Sequence, residues 1–176
     1  AYAGVVGDLF HYGHLHSLQF AKSISDLNIV GVITDKAVEE YRVKPIANLK
    51  ERKAIISSLN CVDRIMVQHN RDPTENLKRI HEEFPDAELI LVHGSDLKYV
   101  HGSKFIESIN GKIVQHPYYD RLSTLKIINY IISNSDKFKD IASFSDLIKG
   151  KEKIDDEYRK GNKIIVSTKA DTLKAL

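Results

Sequence analysis

The chain is poor in features that would each have fixed its class. It has one cysteine, Cys61, so no intrachain disulfide can form and the disulfide frameworks of small secreted domains are excluded. Cys61 lies in the apolar stretch "ISSLNCVDRIMV" and reads as a small packed hydrophobe, with a reactive thiol as the other reading. No run approaches the roughly 18 apolar residues of a membrane span. Charge of one sign is also lacking. A net charge of +2 gives no default attraction to nucleic acid or to an acidic membrane, so neither is expected as a partner. No basic-then-apolar leader precedes "AYAGVV", which reads as strand almost from its first residue. We therefore expect some residues upstream of it in the natural protein, and a cytoplasmic setting.

What is present is an alternation. The 176 residues, 42% hydrophobic and 28% charged, suffice for one domain with a substantial core and an appendage. Short apolar runs at 2–6, 28–34, 63–68, 88–93 and 112–116 read as strands buried on both faces of a parallel sheet. Between them lie helical patterns at 14–25, 48–59, 72–84, 102–110 and 123–133. Asn48 with Glu51 forms a capping-box start, Asp72–Pro73 opens the next helix, and Ser123 is a good cap for the last. Five strands alternating with helices predict an α/β fold, a doubly wound five-stranded parallel sheet of Rossmann-like type. The domain is expected to span 1–133. Residues 134–176, charged and weakly patterned, form a C-terminal extension or the start of a second domain.

In such sheets ligands bind beyond the carboxyl ends of the strands. Four polar loops converge there: "DLFHYGH", "TDKAVEEYRVKP", "HGSDLKY" and "HPYYDRLST". In the first, Gly13 allows close backbone approach, and His11 and His14 lie at the start of a helix expected near Gly13 or His14. That helix end can hold phosphate, and the imidazoles can donate to its oxygens. Zinc binding and ordinary satisfied histidines remain open from spacing alone, although His-x-x-His without further ligands is a poor zinc site. His16 points to another face and reads as a surface or packing residue. Arg42, Lys44 and Arg52 form a basic group that either clamps a triphosphate or is solvated. Asp96 could accept from a ribose or hold Mg²⁺ through water. Arg121, Ser123 and Thr124 mark a second phosphate-capable helix end.

The ordered set "DLFHYGH", "RVKP", "ER", "HGSD" and "RLSTLKII" resembles the cytidylyltransferase family of the HxGH nucleotidyltransferases over about residues 1–133. Its first two stretches look most like members associated with phosphonate pathways. The resemblance implies transfer of CMP from CTP, with Mg²⁺, to a small phosphate or phosphonate acceptor, in a chain that is often a homodimer. It implies catalytic roles for His11, His14 and Lys44. It implies nucleotide contacts from Val5, Val6, Asp8, Gly13, Arg52, Gly94, Asp96, Arg121, Leu122, Ser123 and Thr124. The departures are Gly7 at an aromatic position, Val6 at a hydroxyl position, Ser95 for the first Asp and Leu97 for the Trp of "GDDW", and Tyr118 and Arg121 where the family has Arg and Gly. They bear on nucleotide and acceptor preference. An ATP-dependent relative and a degenerate nucleotide-binding module are the alternatives.

Overall fold

A computed structural model describes residues 1–95 and 99–136 of the chain. Five strands form one all-parallel sheet: β1 (Tyr2–Val5), β2 (Ile29–Ile33), β3 (Arg64–Gln68), β4 (Ile90–Gly94) and β5 (Lys112–His116). Their order is β3-β2-β1-β4-β5, so the chain builds outward on one side of β1 and then crosses to the other. The switch point falls between β1 and β4. The helices are α1 (Tyr12–Ser23), α2 (Asp35–Glu39), α3 (Leu49–Ser57), α4 (Thr74–Glu83), α5 (Ser103–Ser108) and α6 (Thr124–Ser133). This is the expected Rossmann-like α/β fold. Compactness separates Ala1–Lys126, which holds all five strands, from Ile127–Leu176. The expected extension from 137 onward lies outside the described residues.

Alternation along each strand divides the core. Ala3, Val30, Val32 and Val92 pack with Leu18 and Ala21 of α1 and Ile56 of α3. Tyr2, Ile29 and Leu91 face the other way, against Leu77 and Ile80 of α4 and Ile106 of α5. Cys61 packs half-buried beside the first cluster, and burial pushes its thiol up.

Polar groups are buried in the second layer. The Tyr2 hydroxyl donates to Gln68 Oε1 at 2.8 Å and accepts from Asn76 Nδ2 at 3.0 Å. Gln68 Nε2 then donates to the carbonyls of Asn70 and Arg71, at 2.8 and 3.1 Å. Gly31 makes the room: a Cβ there would meet the Tyr2 hydroxyl at 1.8 Å. A buried chain of satisfied polar groups thus ties β1 to the loop after β3.

Element boundaries moved where capping overrode pattern. The Asn48–Glu51 capping box is present as expected. α1 begins at Tyr12, before Gly13, because His11 serves as its cap. α4 begins at Thr74, with Asp72 Oδ1 accepting from the Thr74 amide at 2.9 Å. The five-residue α2 was not expected; the Thr34 side chain caps it by accepting from the Ala37 amide. No helix among the described residues is long and apolar enough to cross a membrane.

Candidate active site

The site begins where β1 ends. Gly7 (φ +70°) and Leu9 (φ 46°) turn the chain sharply, in the left-handed region that glycine enters without strain. His11 then caps α1. Its Nδ1 accepts from the Gly13 amide at 3.0 Å, and His14 Nδ1 accepts from the His11 amide at 3.3 Å. The two histidines form a reciprocal capping box, a task usually given to Ser or Thr with Glu. Since each Nδ1 accepts, each neutral ring carries its proton on Nε2. The ring centroids are 4.0 Å apart, and His14 also stacks on Phe10 at 5.3 Å.

Burial holds both rings neutral. It lowers the His11 pKa, and it is the main cause of His14 falling to about 4, with His11 and Arg42 adding to the effect and Asp8 opposing it. The pair therefore presents Nε2–H donors at the start of α1 rather than two cations, the amides of His11, Gly13 and His14 being already bonded within the capping turn. That suits an anion whose charge grows during reaction.

The opposite wall arrives from the end of the domain. His11 Nε2 lies 3.4 Å from Thr124 Oγ1, across 113 positions of sequence. Gly13 permits this: a Cβ there would lie 3.1 Å from the Leu122 carbonyl oxygen and 2.9 Å from the His11 ring. Tyr119 packs edge-on against Tyr12 at 4.8 Å and beside His16, so His16 helps seat this loop on α1. Ser95 takes part from β4: its amide donates to the His116 carbonyl, and its hydroxyl accepts from the Tyr118 amide at 3.1 Å. Ser123 accepts from the Lys126 amide and caps α6.

The structure thus brings His11, Gly13, His14, Leu122 and Thr124 together. Gly94 ends β4, paired with His116, and Val5 and Val6 are half-buried at the end of β1. Arg121 is exposed. Lys44 is exposed as well, 3.9 Å from Glu39. Asp96 lies outside the described residues.

Two residues that the resemblance assigns to the nucleotide are occupied elsewhere. Asp8 accepts from the Ile46 and Ala47 amides, both at 3.0 Å, and so pins the loop before α3. The Arg52 side chain is fully buried. Its guanidinium donates to Asp35 Oδ1 and the Val6 carbonyl, both at 2.5 Å, and to the Ala47 carbonyl at 3.0 Å. Arg52 is a strut between two loops: it is fully buried and each of its three nitrogens already donates to protein. Phe10 is a contributor that pattern reading missed; its one signal was an aromatic four residues before His14.

Among the described residues, no group of three or more His, Cys, Asp or Glu side chains could hold a metal ion.

Known proteins resemble this chain in sequence and in fold. The cytidylyltransferase-like family model matches residues 6–170. The Bifunctional protein HldE of Citrifermentans bemidjiense is 33% identical over 131 residues, covering 72% of this chain and 26% of the relative. That of Helicobacter pylori is 39% identical over 102 residues, covering 56% and 21%. The chain therefore spans about a quarter of the length of these curated relatives. A crystal structure of the lipopolysaccharide core biosynthesis protein from Thermoplasma volcanium GSS1 superposes with a TM-score of 0.55 at 31% identity, covering 68% of this chain and 96% of that one. Both the paired histidines at the switch point and these likenesses lead to one conclusion: the chain belongs to the cytidylyltransferase-like family of nucleotidyltransferases.

Proposed function

We propose that this domain transfers CMP from CTP to a small phosphate or phosphonate acceptor. An acceptor oxygen attacks the α-phosphorus. A new P–O bond forms there, the bond to the bridging oxygen breaks, and its electron pair leaves with pyrophosphate. No covalent enzyme intermediate is needed, so positioning and electrostatics supply the catalysis. The observation that carries this reading is the His11–His14 pair, whose Nδ1 atoms both accept from backbone amides, so that both rings present Nε2–H at the start of α1, that of His11 toward Thr124 Oγ1. Mg²⁺ enters on the triphosphate as part of the substrate. The α6 start at Thr124 supplies further contacts to the nucleotide phosphates, and Lys44 a contact to the phosphates or to the acceptor.

A second reading keeps the chemistry and changes the substrates. The Thermoplasma neighbour is named for lipopolysaccharide core, a saccharide, which favours a sugar phosphate as acceptor. ATP then competes with CTP as donor. Both readings are tested by pyrophosphate release with each nucleoside triphosphate, Mg²⁺, and a panel of phosphocholine, phosphoethanolamine, glycerol phosphate, aminoethylphosphonate, hydroxyethylphosphonate and sugar phosphates. Release with CTP supports the first reading. Release with ATP alone replaces it with the second, and no release with any pair indicates a nucleotide-binding module without turnover.

A further inference from the structure

On the β2–β3 side of the sheet, two guanidiniums gather on one aromatic ring. Arg71, from the loop after β3, lies 4.6 Å from the Tyr41 ring centroid, and Arg42 lies 5.6 Å from it. The Tyr41 ring is half-buried at the end of α2, where the Tyr41 and Arg42 amides both donate to the Val38 carbonyl. Arg42 is close enough to His14 to help hold that ring neutral.

Among the described residues neither Arg42 nor Arg71 forms an ion pair. Four carboxylates of the surrounding loops have other partners. Asp8 is held by the Ile46 and Ala47 amides, Asp35 by Arg52, and Glu39 reaches Lys44. Asp72, next to Arg71 in the chain, accepts from Thr74 and faces His101 at 3.9 Å. Two like charges on one ring repel, and an anion between them relieves that repulsion.

The fold also fixes where Arg71 stands. Its carbonyl accepts from Gln68 Nε2, and Gln68 is 2% exposed and locked by the Tyr2 hydroxyl. The buried polar chain described above therefore ends on the residue that presents this guanidinium.

We propose that Arg71, Arg42 and Tyr41 form the subsite for the acceptor's anionic group, with Arg71 as a specificity-determining residue. This rests on the nucleotidyl-transfer reading. In an in-line displacement, the nucleophile and the leaving pyrophosphate lie on opposite sides of the α-phosphorus. Thr124 and Leu122 approach the histidine pair from the β4–β5 side, which assigns that side to the triphosphate. Arg42 and Arg71 rise from the β2–β3 side, which leaves the acceptor there. Two unpaired guanidiniums repel a cationic group, so the favoured acceptors are purely anionic. Glycerol phosphate, hydroxyethylphosphonate and sugar phosphates should outperform phosphocholine, phosphoethanolamine and aminoethylphosphonate.

The test uses the full chain and its Arg71→Ala and Arg71→Lys variants. KM for the acceptor is measured by pyrophosphate release, and nucleotide affinity by calorimetry without acceptor. Arg71→Ala should raise the acceptor KM on the order of 10- to 100-fold, as loss of a charge-assisted contact does. Arg71→Lys should recover part of this, and nucleotide affinity should stay within about twofold of wild type. Equal loss of nucleotide affinity, or an unchanged acceptor KM, overturns the assignment. So does a preference for cationic acceptors. If wild type turns over no substrate pair, the transfer reading fails by itself, and calorimetry with inorganic phosphate decides the subsite separately. Binding weakened at least tenfold in Arg71→Ala supports it; equal binding in the two proteins, or none in wild type, refutes it.

Discussion

Replacing Arg52 by Met separates a strut from a ligand contact. The wild-type guanidinium is fully buried and donates to Asp35 Oδ1, the Val6 carbonyl and the Ala47 carbonyl. Methionine fills much of the volume and supplies none of the donors. It leaves a partly buried carboxylate at Asp35, whose other bond is a long one of 3.4 Å from the Leu49 amide, and two carbonyls without partners. Breaking a buried pair in this way costs about 3–5 kcal/mol. For a domain of this size each kcal/mol lowers Tm by roughly 2–4 °C, so a fall of about 10 °C is expected. Thermal and urea denaturation followed by circular dichroism measure it. Adding Asp35→Asn to Arg52→Met should return part of the loss, because the orphaned charge disappears. Recovery should be incomplete, since an unpaired buried carbonyl still costs about 1–3 kcal/mol. A variant with Tm within 2 °C of wild type and CTP affinity down about tenfold would refute the reasoning and return Arg52 to the nucleotide.

Other perturbations probe the site itself. His14→Ala should lower kcat on the order of 10²–10³-fold in the pyrophosphate-release assay, the usual scale for one electrostatic stabiliser, and a loss below tenfold would count against it. Gly13→Ala pushes a methyl to 3.1 Å from the Leu122 carbonyl oxygen, so kcat should fall at least tenfold on the order of a misplaced-geometry effect, while Tm moves little. His14, with its folded pKa at about 4, resists the proton that the unfolded chain takes up near 6.5. Its neutral burial therefore costs stability as pH falls from 6.5 towards 4, by up to about 3 kcal/mol, and stability rises with pH across that window. Urea midpoints at pH 7 and pH 5 should differ less in His14→Asn than in wild type; identical differences would dispose of the idea.

Much of this was legible because a parallel sheet leaves a simple trace. Strands buried on both faces need apolar residues at every position, as β2 has; the edge strands β3 and β5 are less buried than expected and carry polar residues at their ends, yet all five runs became strands. The convergence of loops then follows from topology, so His11, Gly13 and His14 could be placed at the switch point without coordinates. What stayed hidden depends on partners distant in sequence. Nothing local marks Asp8 as the acceptor for the Ile46 and Ala47 amides, or Arg52 as a buried ion pair with Asp35. A histidine used as a helix cap leaves no propensity signal, which is why α1 starts earlier than its pattern. Tyr2 read as one more apolar strand residue, yet its hydroxyl organises Gln68 and Asn76. Nothing local marks Arg71, because its aromatic partner, Tyr41, comes from the neighbouring strand's connection.

The position of β1 has a consequence for how the protein comes into being. It is the first strand to be synthesised and the middle strand of the finished sheet. Its β2 edge can pair early, while its other edge stays open until β4 has been made. Both histidines are also made early, yet Thr124 comes 113 residues after His11. A growing chain thus carries its reactive motif throughout most of translation without a second wall to complete it. On the nucleotidyl-transfer reading, nucleotide binding requires the last connection of the domain to dock, so nucleotide retention by nascent or truncated chains tests both that reading and completion of the fold.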